Sequence, residues 1–170
     1  MAEPESVETV AADPGDLTPE ELAAQGARED RVEKMEEEPA QEYTDEERAQ
    51  SDAIKVEANA AFSAKNFQQA IDLYTAAIAV VPSAPLHSNR AFCHIKLEAL
   101  GSAIVDADAA IKLDKLYAKA YYRKGTILAM QSKHKPARKE FLKVCKLAPK
   151  DKNAVSKYTK ALQLDLPGRA

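Results

Sequence analysis

From Ala49 onward, apolar residues recur at the three- and four-residue spacing of a helix buried along one side. Ile54, Ala58, Ala61 and Phe62 form the first such stripe. Lys65 and Asn66 interrupt it, and the pattern resumes over 67–80 with Ala70, Leu73, Tyr74, Ala77 and Ile78. Pro82, Ser83, Ala84 and Pro85 are expected to end this first hairpin, because proline cannot continue a preceding helix. A second hairpin is predicted over 86–97 and 101–113, turning at 98–100, and a third over 117–130 and 135–147, ending at Pro149. A seventh segment, 151–163, places Val155, Tyr158, Ala161 and Leu162 on one face and Lys and Ser on the other, as a terminal cap requires. Order is expected to begin at Thr44, which forms a capping-box pattern with Glu47.

The hairpins are copies of one another. Gly125, Ala137, Val144 and Pro149 lie 34 residues after Ala91, Ala103, Ala110 and Lys115, which lie 33 after Ala58, Ala70, Ala77 and Pro82. Small side chains recur at the first two positions because two helices approach closely only where a side chain is nearly absent. Self-similarity at this period predicts an all-α solenoid of helical hairpins, with function on the surface that the stack creates.

Charge divides the chain. Residues 1–43 hold 14 acidic and 3 basic residues, so a net charge of −3 for all 170 residues leaves +8 for the remainder. The first 43 residues have the composition of disorder, poor in apolar groups and rich in Glu, Ala and Pro. A basic module behind an acidic tail suggests an anionic partner. The two cysteines, Cys93 and Cys145, fit a reducing compartment rather than a disulfide framework. The N-terminal MAEPESVETV lacks the basic and apolar regions of a secretory signal, and no apolar run approaches a membrane span, so a cytosolic or nuclear location is expected.

The period of 34, the small residues at the eighth, twentieth and twenty-seventh positions and the proline at the thirty-second resemble the tetratricopeptide repeat (TPR). The copies are then 51–83, 84–117 and 118–151, in a domain of 44–165 whose capping helix covers 151–163 and whose last residues, 166–170, fray. Lys115 departs from the pattern where proline is usual, and the first copy is one residue short. The resemblance implies three hairpins and a cap in a right-handed superhelix with a concave groove.

Five residues in the first helices of the hairpins resemble the dicarboxylate clamp of co-chaperone TPR domains: Lys55, Asn59, Asn89, Lys119 and Arg123. Those domains bind the C-terminal Glu-Glu-Val-Asp of heat-shock chaperones, heat-shock protein 90 or 70. Lys55 and Asn59, like Lys119 and Arg123, are four apart and share a helix face. A terminal aspartate offers two carboxylates, which lysine and arginine bind by charge-assisted hydrogen bonds while the asparagine amides fix register. Phe62 and Lys96 also fall on groove-facing positions: Phe62 either walls a pocket for the penultimate apolar side chain or belongs to the core, and Lys96 is within reach of an upstream glutamate.

The segments NAAFSAKNFQQAIDLYTAAI, SNRAFCHIKL and LYAKAYYRKGTILA are most similar to the N-terminal domains of the serine/threonine protein phosphatase 5 family. In that family the domain suppresses an attached catalytic domain until a chaperone tail docks. The phosphatase motifs GDxHG and GNHE are absent, so this chain is expected to be non-catalytic: either the regulatory part of such a phosphatase or a stand-alone co-chaperone adaptor. His87, His94 and His134 lack metal-ligand spacing, and no cofactor is expected. A competing reading, binding of nucleic acid or another anionic surface, rests on Lys133, Lys135, Arg138, Lys139, Lys143, Lys146, Lys150 and Lys152, but no stacking aromatics interleave them. The run Met35, Glu36, Glu37, Glu38 resembles the acidic core of a chaperone tail and suggests an internal competitor lacking the free terminal carboxylate.

Overall fold

A computed structural model describes residues 41–164, with side-chain environments through Ala161; the expectations for the acidic tail and the last residues lie outside this range. The described residues form seven helices in sequence: α1 (Asp45–Ser63), α2 (Phe67–Val80), α3 (Ala84–Lys96), α4 (Leu100–Leu113), α5 (Ala118–Met130), α6 (His134–Leu147) and α7 (Lys152–Leu164). They pack as the hairpins α1/α2, α3/α4 and α5/α6, each against the next, and α7 lies on α6. The architecture is all-α.

α1 starts where its capping box places it: Thr44 N–H donates to Glu47 Oε2 at 2.8 Å and Glu47 N–H to Thr44 Oγ1 at 3.2 Å. Each hairpin then turns in the same way. Lys65, Glu98 and Ser132 adopt left-handed backbone (φ 64, 58 and 60°). The N–H of the following residue reaches back to the last helical turn, Asn66 to Ala61 O, Ala99 to His94 O and Lys133 to Leu128 O, each at 2.9 Å. This closes the orphan carbonyls of the helix end without a glycine. The Pro82–Pro85 segment differs from expectation: only Pro82 and Ser83 connect the hairpins, and Ala84 and Pro85 belong to the first turn of α3. Proline is tolerated there because its missing N–H has no helical acceptor to lose.

The small positions carry the packing. Ala58, Ala70, Ala77, Ala91, Ala103, Ala110 and Ala137 are all 0% exposed. An added Cβ on Gly125 would lie 2.8 Å from Phe141 Cε1, so any larger residue at this crossing would have to displace that ring. The large buried side chains, including Tyr74, Leu86, Ile127 and Phe141, fill separate clusters along the stack. In α7 the buried face is rotated from the one expected. Ala154 and Ala161 are buried, Tyr158 packs on the Phe141 cluster, and Val155 is 45% exposed. Asp151, whose carboxylate accepts from Asn153 N–H (3.0 Å) and Ala154 N–H (3.2 Å), fixes that rotation.

Candidate peptide-docking site

The first helices α1, α3 and α5 carry the candidate clamp, and the repeat register explains what surrounds it. Lys55 corresponds to Ser88 and Tyr122 in the later hairpins, and Asn59 to Phe92 and Thr126. Asn89 corresponds to Arg123 and, one period further, to Lys157 in α7. Equivalent positions on stacked helices face the same way, so these residues lie on one side of the stack, Ser88 buried beneath it.

Arg123 is its centre. Its Nη1 donates to Ser88 Oγ and its Nη2 to Asn89 Oδ1 at 3.2 Å, and its Cζ lies 5.5 Å from the Phe92 ring centroid. Burial pulls the guanidinium below the usual arginine range, while Tyr117, Cys93 and Tyr74 act in the other direction. A guanidinium stays charged under such a shift. Among the described residues, no carboxylate lies within ion-pair distance of Arg123. The contrast with Arg90 is instructive. Arg90, also partly withdrawn from solvent, is neutralised by Asp106 at 2.6 Å. A half-buried cation held only by neutral oxygens lacks the counter-charge that such burial requires.

The asparagines are oriented. Tyr74, fully buried between α1 and α3, donates its hydroxyl to Asn59 Oδ1 at 2.6 Å. Arg123 engages the carbonyl of Asn89. The Tyr74 hydroxyl also interacts with the Asn89 side chain, so it is the NH2 of Asn59, whose carbonyl oxygen is taken, that is presented as a donor.

Beside Arg123 lies a pocket of about 370 Å³. Its walls include Phe92, Ile95 and Tyr122, and four cations line it: Lys96, Lys119, Arg123 and Lys157. Among the described residues, no acidic side chain does. Of the residues singled out in the sequence, Lys96, Lys119 and Arg123 come together in this pocket, and Lys157 joins them from α7, whose polar side was expected to be an outer surface. The repeat period was the signal that identifies Lys157.

Lys55, one turn before Asn59, pairs with Asp52 of its own helix and does not line the pocket. Phe62 is also outside it. Its ring packs on the α1/α2 core, 6.0 Å from Phe67 and 5.4 Å from Phe92, which supports the core reading and buttresses the aromatic floor under Arg123.

The basic run 133–152 lies on α6 and the α6–α7 junction, and none of it lines the pocket. His87 and His94 flank Asp106 at 3.0 and 3.7 Å, a structural network on the α3/α4 contact. No helix of the described residues is long and apolar enough to cross a membrane.

Comparison with known proteins identifies the family. No family profile matches the sequence. The second TPR domain of the human RPAP3 protein, solved in complex with HSP70 peptide SGPTIEEVD, is similar with a TM-score of 0.65 and 32% identity, over 68% of this chain and 98% of that one. The chain belongs to the tetratricopeptide repeat family. The first TPR of Spaghetti (RPAP3), bound to HSP90 peptide SRMEEVD, is similar with a TM-score of 0.65 and 29% identity, over 66% of this chain and 90% of that one. Serine/threonine-protein phosphatase 5 of Rattus norvegicus is 36% identical over 136 residues, 79% of this chain. The TPR chain spans about a quarter of the length of the phosphatase relatives it matches, 27% in that case. It is a TPR protein-binding module similar to those that bind chaperone peptides and to that of the phosphatase 5 family.

Proposed function

We propose that this module docks the C-terminal acidic peptide of heat-shock chaperones through Lys55, Asn59, Asn89, Lys119 and Arg123. The observation that carries the reading is Arg123, a half-buried guanidinium without a carboxylate partner among the described residues, in a pocket whose charged lining residues are all cations. A C-terminal aspartate supplies what is lacking. Its two carboxylates take charge-assisted hydrogen bonds from Lys119 and Arg123, and the NH2 groups of Asn59 and Asn89 donate to the terminal carboxylate and peptide carbonyls. Lys55 completes the set by exchanging Asp52 for the peptide. The bound peptides of the RPAP3 structures end in Glu-Glu-Val-Asp, which is this chemistry.

Fluorescence anisotropy with a labelled Met-Glu-Glu-Val-Asp peptide tests the assignment. Losing a charge-assisted hydrogen bond to a buried partner costs about 1.5–3 kcal/mol, so Arg123→Ala or Lys119→Ala should weaken binding about 10- to 100-fold. Lys139→Ala, on the outer basic run, should leave it unchanged. Equal effects of all three substitutions would point instead to diffuse attraction by the basic surface.

The similarity to phosphatases extends the proposal to regulation: in a longer protein the module would restrain an attached serine/threonine phosphatase, released when the peptide docks. Stimulation of the full-length phosphatase by the free peptide, lost in Arg123→Ala, tests that step.

A further inference from the structure

The connection between the second and third hairpins departs from its counterparts. Where the other copies carry Pro82 and Ser83, or Pro149 and Lys150, this one carries Lys115 and Leu116. Leu116 is 74% exposed, and Leu113, which ends α4, is 50% exposed. The fold does not call for a leucine at 116, since Ser83 and Lys150 serve the same connection elsewhere. Lysines surround the two leucines. Ile111 and Leu147 pack on one cluster with Tyr121, Val144 and Ala154, and the Tyr121 hydroxyl donates to Lys115 O at 2.9 Å. The α4–α5 and α6–α7 connections, equivalent in the repeat, thus lie side by side on one edge of the stack. That edge exposes Lys112, Lys115, Lys146, Lys150 and Lys152. Its acids, Asp114 and Asp151, are engaged with backbone: Asp114 Oδ1 accepts from Leu116 N–H at 2.9 Å, and Asp151 caps α7. Among the described residues none of these lysines is in an ion pair.

We propose that this edge docks on the surface of an anionic lipid bilayer, with Leu113 and Leu116 entering the boundary between headgroups and acyl chains and the five lysines meeting the lipid phosphates. The composition of the edge selects that occupant. Exposed leucines among lysines are what an interfacial segment carries, and each lysine adds attraction to an anionic leaflet. Lysine stems are long enough to keep their charge at the phosphates while the leucines sit deeper. Protein interfaces are instead depleted of lysine and rich in aromatic residues and arginine. Single-stranded nucleic acid asks for exposed aromatics to stack on, and Tyr117, the aromatic of this connection, packs on the cluster of Ala84, Ala110 and Ala120. None of the seven residues lines the pocket beside Arg123, so this surface is distinct from the peptide site.

Co-sedimentation of the full chain with phosphatidylcholine vesicles, with and without about one third phosphatidylserine, tests this at about 0.1 M salt. Wild type should pellet with the anionic vesicles and not with the neutral ones. Leu116→Ala should weaken that binding about four- to fifteenfold, as when one or two fewer CH2 groups leave water. Lys150→Gln should weaken it about fivefold. The lysine loss should shrink as salt rises, whereas the leucine loss should persist. Lys139→Gln, on the outer side of α6, should cost less than about twofold. All three residues are exposed, and circular dichroism verifies that the variants fold. Absence of vesicle binding, full binding by Leu116→Ala, or equal losses for Lys150→Gln and Lys139→Gln would overturn the proposal. Capture of a DNA duplex in place of vesicles would also overturn it, in favour of nucleic acid. No arm of the experiment uses the peptide, so the docking reading stands or falls separately.

Discussion

Asp106→Asn should be among the most damaging single substitutions in the described domain. Asp106, on α4, is 3% exposed. Its carboxylate accepts from Arg90 Nε (2.8 Å) and Nη2 (2.6 Å) and from His87 Nδ1 (3.0 Å), while Arg90 Nη1 donates to Thr75 Oγ1 at 2.8 Å. One acid therefore ties α4 to α3 and, through Arg90, to α2. It also sets the angle of the helix that presents Asn89 and Phe92. Burial alone would raise its carboxyl, but the hydrogen bonds and charges of His87 and Arg90 outweigh that and hold it below the usual range. An amide keeps the shape, loses the charge, and turns a donor toward a donor. Breaking a buried pair from one side costs about 3–5 kcal/mol. Arg90 keeps 19% side-chain exposure, so the lower end applies, about 3 kcal/mol, or roughly 10 °C in Tm.

Urea unfolding followed by circular dichroism across pH reads both magnitude and origin. A carboxyl with a depressed folded pKa contributes stability that is present above its unfolded value of about 4 and is lost as pH falls through the folded one. The gap between wild type and Asp106→Asn should therefore close below about pH 4. His94 adds a second slope. Burial pulls it below its ordinary 6.5, against the raising effect of Asp106, so the fold favours its neutral form. That stability is present above pH 6.5 and declines as pH falls toward the lower folded value, in wild type but not in His94→Gln. A destabilisation below about 1 kcal/mol, or one unchanged down to pH 3, would refute the argument.

Three further outcomes follow from single contacts. Gly125→Ala gains about 1 kcal/mol of helix propensity but drives a methyl against the Phe141 ring, an overpacking that costs about 1–3 kcal/mol, so thermal unfolding should show a net loss. Ser132→Gly relieves left-handed backbone at φ 60° and should raise stability by about 0.5 kcal/mol in the same assay. The Cys93 thiol is fully buried and pushed up to about 11 by burial, whereas Cys145 is half-buried, so a thiol reagent at pH 8 should label Cys145 first and Cys93 only as the chain unfolds.

Much of the fold could be read from spacing. The recurrence of Ala58, Ala91 and Gly125 marks where helices cross, and crossing geometry leaves little freedom in what may stand there. Helix ends were less legible. Pro85 signals a break in either of two places, and only packing puts it inside α3. The turn residues Lys65, Glu98 and Ser132 carry no glycine signal, because the hydrogen bonds that close each helix hold them in a backbone region that their side chains disfavour. Of the candidate site, the proposed clamp residues were visible as lysines, an arginine and asparagines at fixed register. The absence of a counter-ion for Arg123 among the described residues was not, since it depends on which carboxylates the fold brings near. Lys157 lay one period beyond Arg123, but α7 has no hairpin partner to reveal its register.

The central claim is capture of a free C-terminal carboxylate, and calorimetry against Met-Glu-Glu-Val-Asp beside its C-terminally amidated twin tests it most directly. The account predicts binding at about micromolar Kd for the free acid, and at least about tenfold weaker binding for the amide, because amidation removes one of the carboxylates that Lys119 and Arg123 hold. Equal affinity for the two peptides, or none for either, would contradict it.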